Sequence, residues 1–169
     1  MKIQLLLLDR DGVINKEIGN YITHPDLFEL LPGIIPIIQH ANQLNIPVVV
    51  ITNQGGIGKG LYNHQTLEAI HEKMIRLLAR EHCRLDQIIY CPHHPDFNGK
   101  CLCRKPDSLM LEKALALYHS APEQTVFIGD NQRDLDAANK IGVRGILVPS
   151  NQPEWAVPTL NEFGWYTDN

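Results

Sequence analysis

The sequence predicts an α/β protein with a Rossmann-like parallel β-sheet flanked by helices. Short, continuously apolar runs, typical of strands buried on both faces, alternate with longer segments of helical periodicity. Three of the apolar runs end in polar residues, and the carboxyl ends of parallel strands meet at one edge of a sheet. A chain of 169 residues, 44% of them hydrophobic and 20% charged, is expected to fold as one domain over 1–169.

The first predicted strand consists of Ile3 and four consecutive leucines, and it ends at Asp9. A strand that is apolar on both faces belongs in the middle of a parallel sheet. Asp11 lies two residues beyond Asp9, so an extended chain would point both carboxylates to one side. Two converging carboxylates need a cation between them, and Mg²⁺ is the natural one. The polar stretch over 15–32 is expected to form a flap over this site.

The second predicted unit is a helix followed by a strand. The helix covers 34–44, and Pro36 lies in its first turn, where proline is tolerated. The strand covers 47–51 and is apolar and β-branched throughout. It ends in Thr52 and Asn53, and a glycine-rich stretch follows.

The third unit begins with an amphipathic helix over 65–82, whose apolar residues recur at helical spacing: Leu67, Ile70, Met74 and Leu77. A short strand is predicted over 86–90. The stretch 91–105 contains prolines, glycine and cysteines and is predicted to be irregular. Ser108 is expected to cap the helix that ends at Tyr118.

The last predicted elements are a strand over 125–128, a short helix over 134–141 and a strand over 145–148. Gly142 is expected to stop the helix, because glycine readily adopts the left-handed conformation found there. The residues after Pro149 are weakly patterned, and no element is predicted for them.

The composition excludes several classes of function. A formal net charge of −4 disfavours broad binding of nucleic acid. No apolar run is long enough to span a membrane, and Met1-Lys2 leads directly into the first strand without room for a signal peptide. We therefore expect a cytoplasmic protein, monomeric, with a small phosphorylated molecule as its partner rather than a membrane or a nucleic acid.

The polar residues at the strand ends are those that hydrolysis of a phosphate monoester needs. This reaction requires a nucleophile, an acid that later acts as a base, donors to the phosphoryl oxygens and a cation. A carboxylate can form an aspartyl-phosphate, so Asp9 is the candidate nucleophile and Asp11 the candidate acid and base. The other candidates are the Thr52 hydroxyl and the Asn53 amide as donors, Lys105 as a positive charge, and Asp130 as a Mg²⁺ ligand.

A second group of candidate ligands lies in the Cys/His loop, as we call residues 91–105. Its sequence contains Cys-Pro-His-His-Pro and then Cys-Leu-Cys. Three thiolates and one imidazole complete a tetrahedral Zn²⁺ shell with no position open for water, which is typical of a structural site. The predicted ligands are Cys91, His93, Cys101 and Cys103, with His94 as the alternative imidazole. Cys83 is interpreted as an ordinary buried thiol.

Four short motifs resemble, in composition and order, those of the haloacid-dehalogenase-type phosphatases: Asp9-Arg10-Asp11-Gly12, Thr52-Asn53, Lys105-Pro106, and Gly129-Asp130 with Asp134. The resemblance extends from the first predicted strand to the fifth. It implies the roles assigned above, and it adds the backbone carbonyl of Asp11 as a Mg²⁺ ligand, so that Asp9, Asp11 and Asp130 hold the ion. Phosphatases of this family carry Asp at the position of Asp11.

Two further stretches narrow the resemblance to one branch of that family. They are the Cys/His loop ending in Arg-Lys-Pro and the run Thr-Asn-Gln-Gly-Gly-Ile that starts at Thr52. The branch contains the heptose-bisphosphate and histidinol-phosphate phosphatases, which have no large cap domain. The Cys/His loop is shorter here than in the best-known heptose enzymes, and Lys59 stands where that group usually has arginine.

The sequence favours a doubly anionic sugar over histidinol phosphate as the substrate. Arg104 follows the predicted zinc ligands and is suited to a bidentate grip on phosphate. The other candidate contacts are Glu17 for sugar hydroxyls, Gln54, the backbone amide of Gly55, and Lys59. We therefore expect removal of the 7-phosphate of heptose 1,7-bisphosphate, with histidinol-phosphate hydrolysis as the alternative.

Two more distant hypotheses concern nucleic acid. One is a phosphatase of nucleic-acid 3′ ends, which would need a basic groove. The other is a zinc-knuckle module, which the acidic balance and the few aromatic residues of the Cys/His loop disfavour.

Overall fold

A computed structural model describes residues 2–166, which form a five-stranded sheet in which every strand pair is parallel. The strands are β1 (Leu5–Leu8), β2 (Val48–Asn53), β3 (Gln87–Cys91), β4 (Thr125–Gly129) and β5 (Arg144–Leu147). Their order is β3-β2-β1-β4-β5. The predicted α/β class, a parallel sheet flanked by helices, is confirmed.

β1 is the central strand, as its four leucines indicated. Leu7 is paired with Val49 of β2 on one side and with Phe127 of β4 on the other. All four leucines are completely buried, and alternate ones belong to different cores. Leu6 and Leu8 pack in one core, whereas Leu5 and Leu7 pack in the other. The continuous leucine run is explained by burial on both faces.

Helices cover both faces of the sheet. They are α1 (Ile35–Gln43), α2 (His64–Arg80), α3 (Pro95–Asn98), α4 (Leu109–Tyr118), α5 (Gln132–Asn139) and α6 (Val157–Glu162). The apolar sides of α1, α2 and α6 pack in the core that contains Leu6 and Leu8. The apolar sides of α4 and α5 pack in the core that contains Leu5 and Leu7. None of the helices within residues 2–166 is long and apolar enough to cross a membrane.

Two local predictions were wrong, and one stretch was left unassigned. The Cys/His loop is not irregular throughout, because α3 forms within it with His94 as its N-cap. The Ser108 hydroxyl does not cap α4; it donates a hydrogen bond to the Glu112 carboxylate instead. The residues after Pro149, for which no element was predicted, form a 3₁₀ turn and α6 and bury Trp165 in the core.

The strand order places a crevice beyond the carboxyl end of the central strand. From β1 the chain adds β2 and β3 on one side, and then crosses to the other side to form β4 and β5. The helices that follow β1 and β4 diverge at this reversal, which is where open α/β sheets bind their ligands. The flap, residues 15–32, is closed at its base by an isolated bridge between Asn15 and Leu30, and a second bridge joins Asn15 to Asp11 beside the crevice.

Candidate active site and metal centre

Three carboxylates meet at the crevice between β1 and β4. Asp9 follows β1, Asp130 follows β4, and Asp134 lies in the first turn of α5; one oxygen of each lies within 4.8 Å of the others. Gly12 allows the Asp130 carboxylate to lie against the backbone after β1. Its φ of 82° is left-handed, and a Cβ there would overlap that carboxylate. Such a group of hard oxygen ligands fits Mg²⁺.

Lys105 is buried among these carboxylates. Its Nζ lies 2.9 Å from Asp9 and 2.7 Å from Asp134, and it donates a third bond of 3.0 Å to the Ile51 carbonyl. Burial opposes a charged amine, but the two carboxylates raise the pKa of Lys105 above its ordinary value. The lysine is therefore a permanent cation.

The ionisation of Asp9 is strongly affected by its burial. Burial raises the pKa of Asp9 from 3.8 to about 7, although the charge of Lys105 opposes the shift. A carboxylate attacks as the anion, so an additional cation beside Asp9 would favour its reactive form at neutral pH. The raised pKa of Asp9 and the three converging carboxylates therefore both indicate a metal site.

The Asp11 side chain does not converge with Asp9 on one cation, contrary to the expectation from their spacing. The chain turns after Arg10, whose carbonyl accepts hydrogen bonds from three following residues. The Asp11 carboxylate accepts bonds from Arg10 at 2.9 and 3.1 Å, from Asn15 at 3.0 Å and from Gln54 at 3.1 Å. Burial opposes ionisation, but Arg10 and these hydrogen bonds hold the pKa of Asp11 below its ordinary value.

The end of β2 supplies Thr52, Asn53 and Gln54. The Asn53 carboxamide makes two bonds of 3.0 Å with the backbone of Lys105, and so holds the lysine in place. The Gln54 amide donates to the Thr52 hydroxyl and to Asp11, and its oxygen accepts from Tyr62. Among residues 2–166, the side-chain partners of Gln54, a predicted substrate contact, are therefore Asp11, Thr52 and Tyr62. The buried Thr52 hydroxyl keeps its own proton to donate.

A cavity of about 530 Å³ opens above these groups. Of the predicted substrate contacts, Glu17, Gln54, Gly55 and Arg104 line it. Lys59 is not among the lining residues; its ammonium lies 5.2 Å from the centre of the Tyr21 ring, and Tyr21 lines the cavity. Gly55 lies against Arg104: a Cβ there would lie 2.8 Å from the guanidinium, which would have to shift.

The flap is fixed by a residue from the far end of the chain. Asn151 accepts a 2.6 Å bond from the Glu17 amide and donates a 3.2 Å bond to the Glu17 carbonyl. Its backbone also donates to the Gly12 carbonyl, and its φ of 69° is one that Asn tolerates. The flap is thus fastened beside the cavity with Glu17 at its rim.

Several residues of the site were missed by the sequence analysis. Arg10 and Asn15 bind Asp11, Tyr62 orients Gln54, and Asn151 holds Glu17. Arg133 lines the cavity on the side of α5. The positions of Arg10, between the two aspartates, and Arg133, beside Asp134, were available signals; Tyr62 and Asn151 lie in stretches without any pattern.

The four predicted zinc ligands form one cluster. The three sulfur–sulfur distances are 3.0 Å for Cys91–Cys103 and 3.6 Å for both Cys91–Cys101 and Cys101–Cys103. His93 Nδ1 lies 3.5 Å from Cys91 and 3.3 Å from Cys103. A tetrahedral zinc ion with Zn–S bonds of about 2.3 Å would separate its sulfurs by roughly 3.8 Å, so the cluster is slightly contracted but of the right shape.

The choice between the two histidines follows from their different contacts. His93 faces the thiols, whereas His94 Nδ1 accepts a bond of 3.3 Å from the Asp96 amide at the start of α3. His93 also connects the cluster to the cavity, because its carbonyl accepts a 3.1 Å bond from the Arg104 guanidinium. The position of Arg104 therefore depends on the shape of the Cys/His loop.

Comparison with known proteins agrees with this geometry. The HAD-hydrolase-like family model matches residues 102–156. A protein of Pseudomonas putida named D-glycero-beta-D-manno-heptose-1,7-bisphosphate 7-phosphatase is 38% identical over 152 residues, covering 90% of this chain and 86% of its own. A protein of the same name from Bordetella bronchiseptica is 39% identical over 146 residues, covering 86% and 80% of the two chains.

Comparison of the fold with solved structures identifies the same group of proteins. The crystal structure of D,D-heptose 1,7-bisphosphate phosphatase from B. bronchiseptica, complexed with magnesium and phosphate, superposes with a TM-score of 0.83. It is 37% identical and the match covers 94% of this chain and 87% of that one. The D,D-heptose 1,7-bisphosphate phosphatase of Burkholderia thailandensis superposes with a TM-score of 0.65 at 31% identity, covering 92% of this chain and 84% of its own.

Proposed function

This chain belongs to the HAD-like hydrolases, in the group of the heptose-1,7-bisphosphate 7-phosphatases, and from that premise we propose that it removes the 7-phosphate of D-glycero-D-manno-heptose 1,7-bisphosphate. Enzymes of this family hydrolyse phosphate monoesters. The observation that carries the proposal is the buried arrangement of Asp9, Lys105, Asp130 and Asp134 at the floor of a cavity whose rim carries Arg104.

In the first half of the reaction Asp9 attacks the phosphorus atom. The bond from phosphorus to the ester oxygen breaks, and Asp11 gives its proton to that oxygen. In the resting protein Asp11 is a carboxylate, and the charge of an incoming phosphoryl group favours its protonated form. Thr52 and the backbone beyond β2 donate to the phosphoryl oxygens, and Lys105 offsets their charge. The product is an aspartyl-phosphate on Asp9.

In the second half Asp11, now a carboxylate, takes a proton from water. The water oxygen attacks phosphorus and the bond to Asp9 breaks, which releases phosphate and restores both aspartates. Asn53 contributes by holding the Lys105 backbone, because a lysine displaced from Asp9 would no longer stabilise the developing charge.

The residues at the floor of the cavity would hold Mg²⁺. Asp9, Asp130 and the backbone carbonyl of Asp11 are the proposed ligands, while Asp134 pairs with Lys105 and receives the Asn131 amide. The ion would neutralise Asp9 and the phosphoryl oxygens, which is the usual contribution of a divalent cation to phosphoryl transfer.

Cys91, His93, Cys101 and Cys103 would hold one structural Zn²⁺. The cluster has four ligand atoms at distances close to those of a tetrahedral shell. Its proposed task is to shape the loop that carries Arg104, rather than to take part in the chemistry.

The substrate assignment depends on the charge around the cavity. A bisphosphate needs a cation away from the floor, and Arg104 and Arg133 both line the cavity. Histidinol phosphate carries cationic groups and would prefer carboxylates, of which Glu17 lies at the rim. The two arginines favour the heptose. We further propose a cytoplasmic, monomeric protein with one domain over 1–169, acting in the synthesis of activated heptose for surface polysaccharide.

A panel of phosphate esters with Mg²⁺ tests the substrate. Heptose 1,7-bisphosphate, a hexose monophosphate, histidinol phosphate and a short oligonucleotide with a 3′-phosphate would be compared by kcat/KM, measured as released phosphate. We expect the bisphosphate to be preferred by at least about tenfold, the size of one well-placed charge contact. Preference for histidinol phosphate or the oligonucleotide would overturn the assignment.

A further inference from the structure

Arg10 is a completely buried arginine that lies between the two catalytic candidates in sequence, and its guanidinium contacts Asp11 and His71. One terminal nitrogen of its guanidinium, Nη2, bridges both oxygens of Asp11 at 2.9 and 3.1 Å. The other, Nη1, lies 3.2 Å from Nε2 of His71 in α2. His71, Arg10 and Asp11 thus form a continuous chain of contacts from the helix to the site.

The chemistry of this chain requires a neutral His71. Burial, with a smaller contribution from the charge of Arg10, lowers the pKa of His71 to about 3. The unprotonated Nε2 therefore accepts the hydrogen bond that the guanidinium donates. His71 is only 7% exposed, and its ring packs edge-on against Tyr90 at 6.1 Å between centres. The imidazole is thus a fixed acceptor.

Arg10 has few other constraints on its orientation. Its Nε is buried and has no hydrogen-bond partner within the described residues, so Nη1 and Nη2 carry all of its side-chain contacts. Removing the acceptor on Nη1 would leave a second buried donor without a partner, which favours rotation of the guanidinium. The nitrogen that bridges the Asp11 oxygens would move with it.

We propose that His71 is a positioning residue for Asp11, acting through Arg10, which it holds in the one orientation that presents Nη2 to the carboxylate. This inference deepens the proposed phosphatase mechanism and depends on Asp11 being the acid and base of that mechanism. The step most sensitive to it is hydrolysis of the aspartyl-phosphate, in which Asp11 must face a small water molecule rather than a bound leaving group.

p-Nitrophenyl phosphate separates the two half-reactions. Its leaving group departs as a stable anion and needs little help from an acid, whereas the second half-reaction still needs Asp11 as the base. His71→Leu removes the acceptor at similar volume, and His71→Gln places an amide oxygen near the position of Nε2. His64→Leu is the matched control, because His64 is also in α2 and also contacts Tyr90, but does not contact Arg10.

With His71→Leu we expect a burst of about one p-nitrophenolate per active site and a steady-state rate reduced by roughly 10- to 100-fold, part of the usual acid–base factor. Acid-quenched protein should carry the phosphate on Asp9. His71→Gln should recover the wild-type rate within about threefold, and His64→Leu should match the wild type. kcat/KM should stay unchanged throughout, because it reports binding and the first half-reaction, and His71 does not line the cavity.

The proposal is overturned if His71→Leu behaves as the wild type, if the burst and the steady state fall together, or if His71→Gln is as slow as His71→Leu. Should His71→Leu not fold, His71→Phe keeps a ring against Tyr90 without the acceptor and takes its place; failure of both to fold would assign His71 to the fold alone and also overturn the proposal. Because the probe is not a sugar, a wrong substrate assignment would leave this test intact and would appear only in the panel of phosphate esters.

Discussion

The ammonium of Lys105 lies 2.7 Å from the Asp134 carboxylate, so the lysine of the loop after β3 is joined to the first turn of α5. The same ammonium lies 2.9 Å from Asp9. Lys105 therefore holds together the parts of the site that come from β1 and β4, and all three side chains are buried.

Replacing Lys105 by methionine should leave two buried carboxylates without their cationic partner. We expect Lys105→Met to lower the free energy of unfolding by about 3–5 kcal/mol at pH 8 without divalent cations. Mg²⁺ should restore part of the loss, because an ion bound to Asp9 and Asp130 would also offset the charge of the nearby Asp134. Lys113→Met, on the exposed side of α4, should change stability by less than about 0.5 kcal/mol. Denaturation with and without Mg²⁺ measures the free energy of unfolding of both variants. Equal losses of stability in Lys105→Met and Lys113→Met would contradict the role of Lys105.

Asp9→Asn should abolish turnover while the fold survives. The amide has the same shape but is not a nucleophile, so kcat should fall by on the order of 10⁴-fold or more. The Asp9→Asn protein should be no less stable than the wild type above pH 7. Burial disfavours the charged form of Asp9, and Lys105 still pairs with Asp134 in the variant. Asp11→Asn is the comparison and should lose roughly 10²–10⁴-fold in kcat. Near-wild-type turnover by Asp9→Asn would rule out the covalent intermediate.

Zinc should be bound in a ratio of about one per chain, independently of Mg²⁺. Cys101→Ser should lose the metal and lower kcat/KM indirectly, because Arg104 is tethered to the carbonyl of His93. Cys83→Ser is the matched control, since Cys83 is a buried cysteine outside the cluster and should leave the zinc content unchanged. Metal analysis of protein purified without chelators decides the matter. Full activity of a zinc-free Cys101→Ser protein would contradict the link to Arg104.

Arg104→Ala should weaken hydrolysis of the bisphosphate more than that of a monophosphate. Only the bisphosphate has a distal phosphate to lose, and a charge-assisted contact is worth about 1.5–3 kcal/mol, or roughly 10- to 100-fold in kcat/KM. Arg104→Lys keeps the charge but not the planar guanidinium, so its kcat/KM for the bisphosphate should lie between those of the wild type and Arg104→Ala. An equal loss on both substrates would show that Arg104 does not discriminate between them.

The burial of neutral His71 predicts how stability depends on pH. Its pKa of about 3 in the folded protein lies below the unfolded value of 6.5, so below pH 6.5 only the unfolded chain takes up this proton. The wild type should therefore lose up to about 1.4 kcal/mol of stability per pH unit, relative to His71→Gln, as the pH falls from 6.5 towards 3. Urea denaturation of both proteins from pH 7 to 4.5 measures the difference, and parallel curves would contradict a buried neutral imidazole.

The strands and the position of the site were predictable because both depend on local patterns. The leucines of β1 and the β-branched run of β2 identify buried strands, and Asp9 and Asp130 follow two of the strands directly. The orientation of Asp11 was not predictable, because it is decided by the turn at Arg10 and by the imidazole of His71, 61 residues away in sequence. The hydrogen bond between Gln54 and Tyr62 was likewise not predictable, because Tyr62 carries no local signal.

The contact between Asn151 and Glu17 has a consequence for protein synthesis. The two residues are 134 positions apart, so Glu17 leaves the ribosome well before the side chain that fastens it exists. At about 5–20 residues per second, the interval is roughly 7–27 s. β4, which pairs with the central strand and delivers Asp130, is also translated late. A nascent chain therefore carries its nucleophile well before it acquires the contacts that close the pocket.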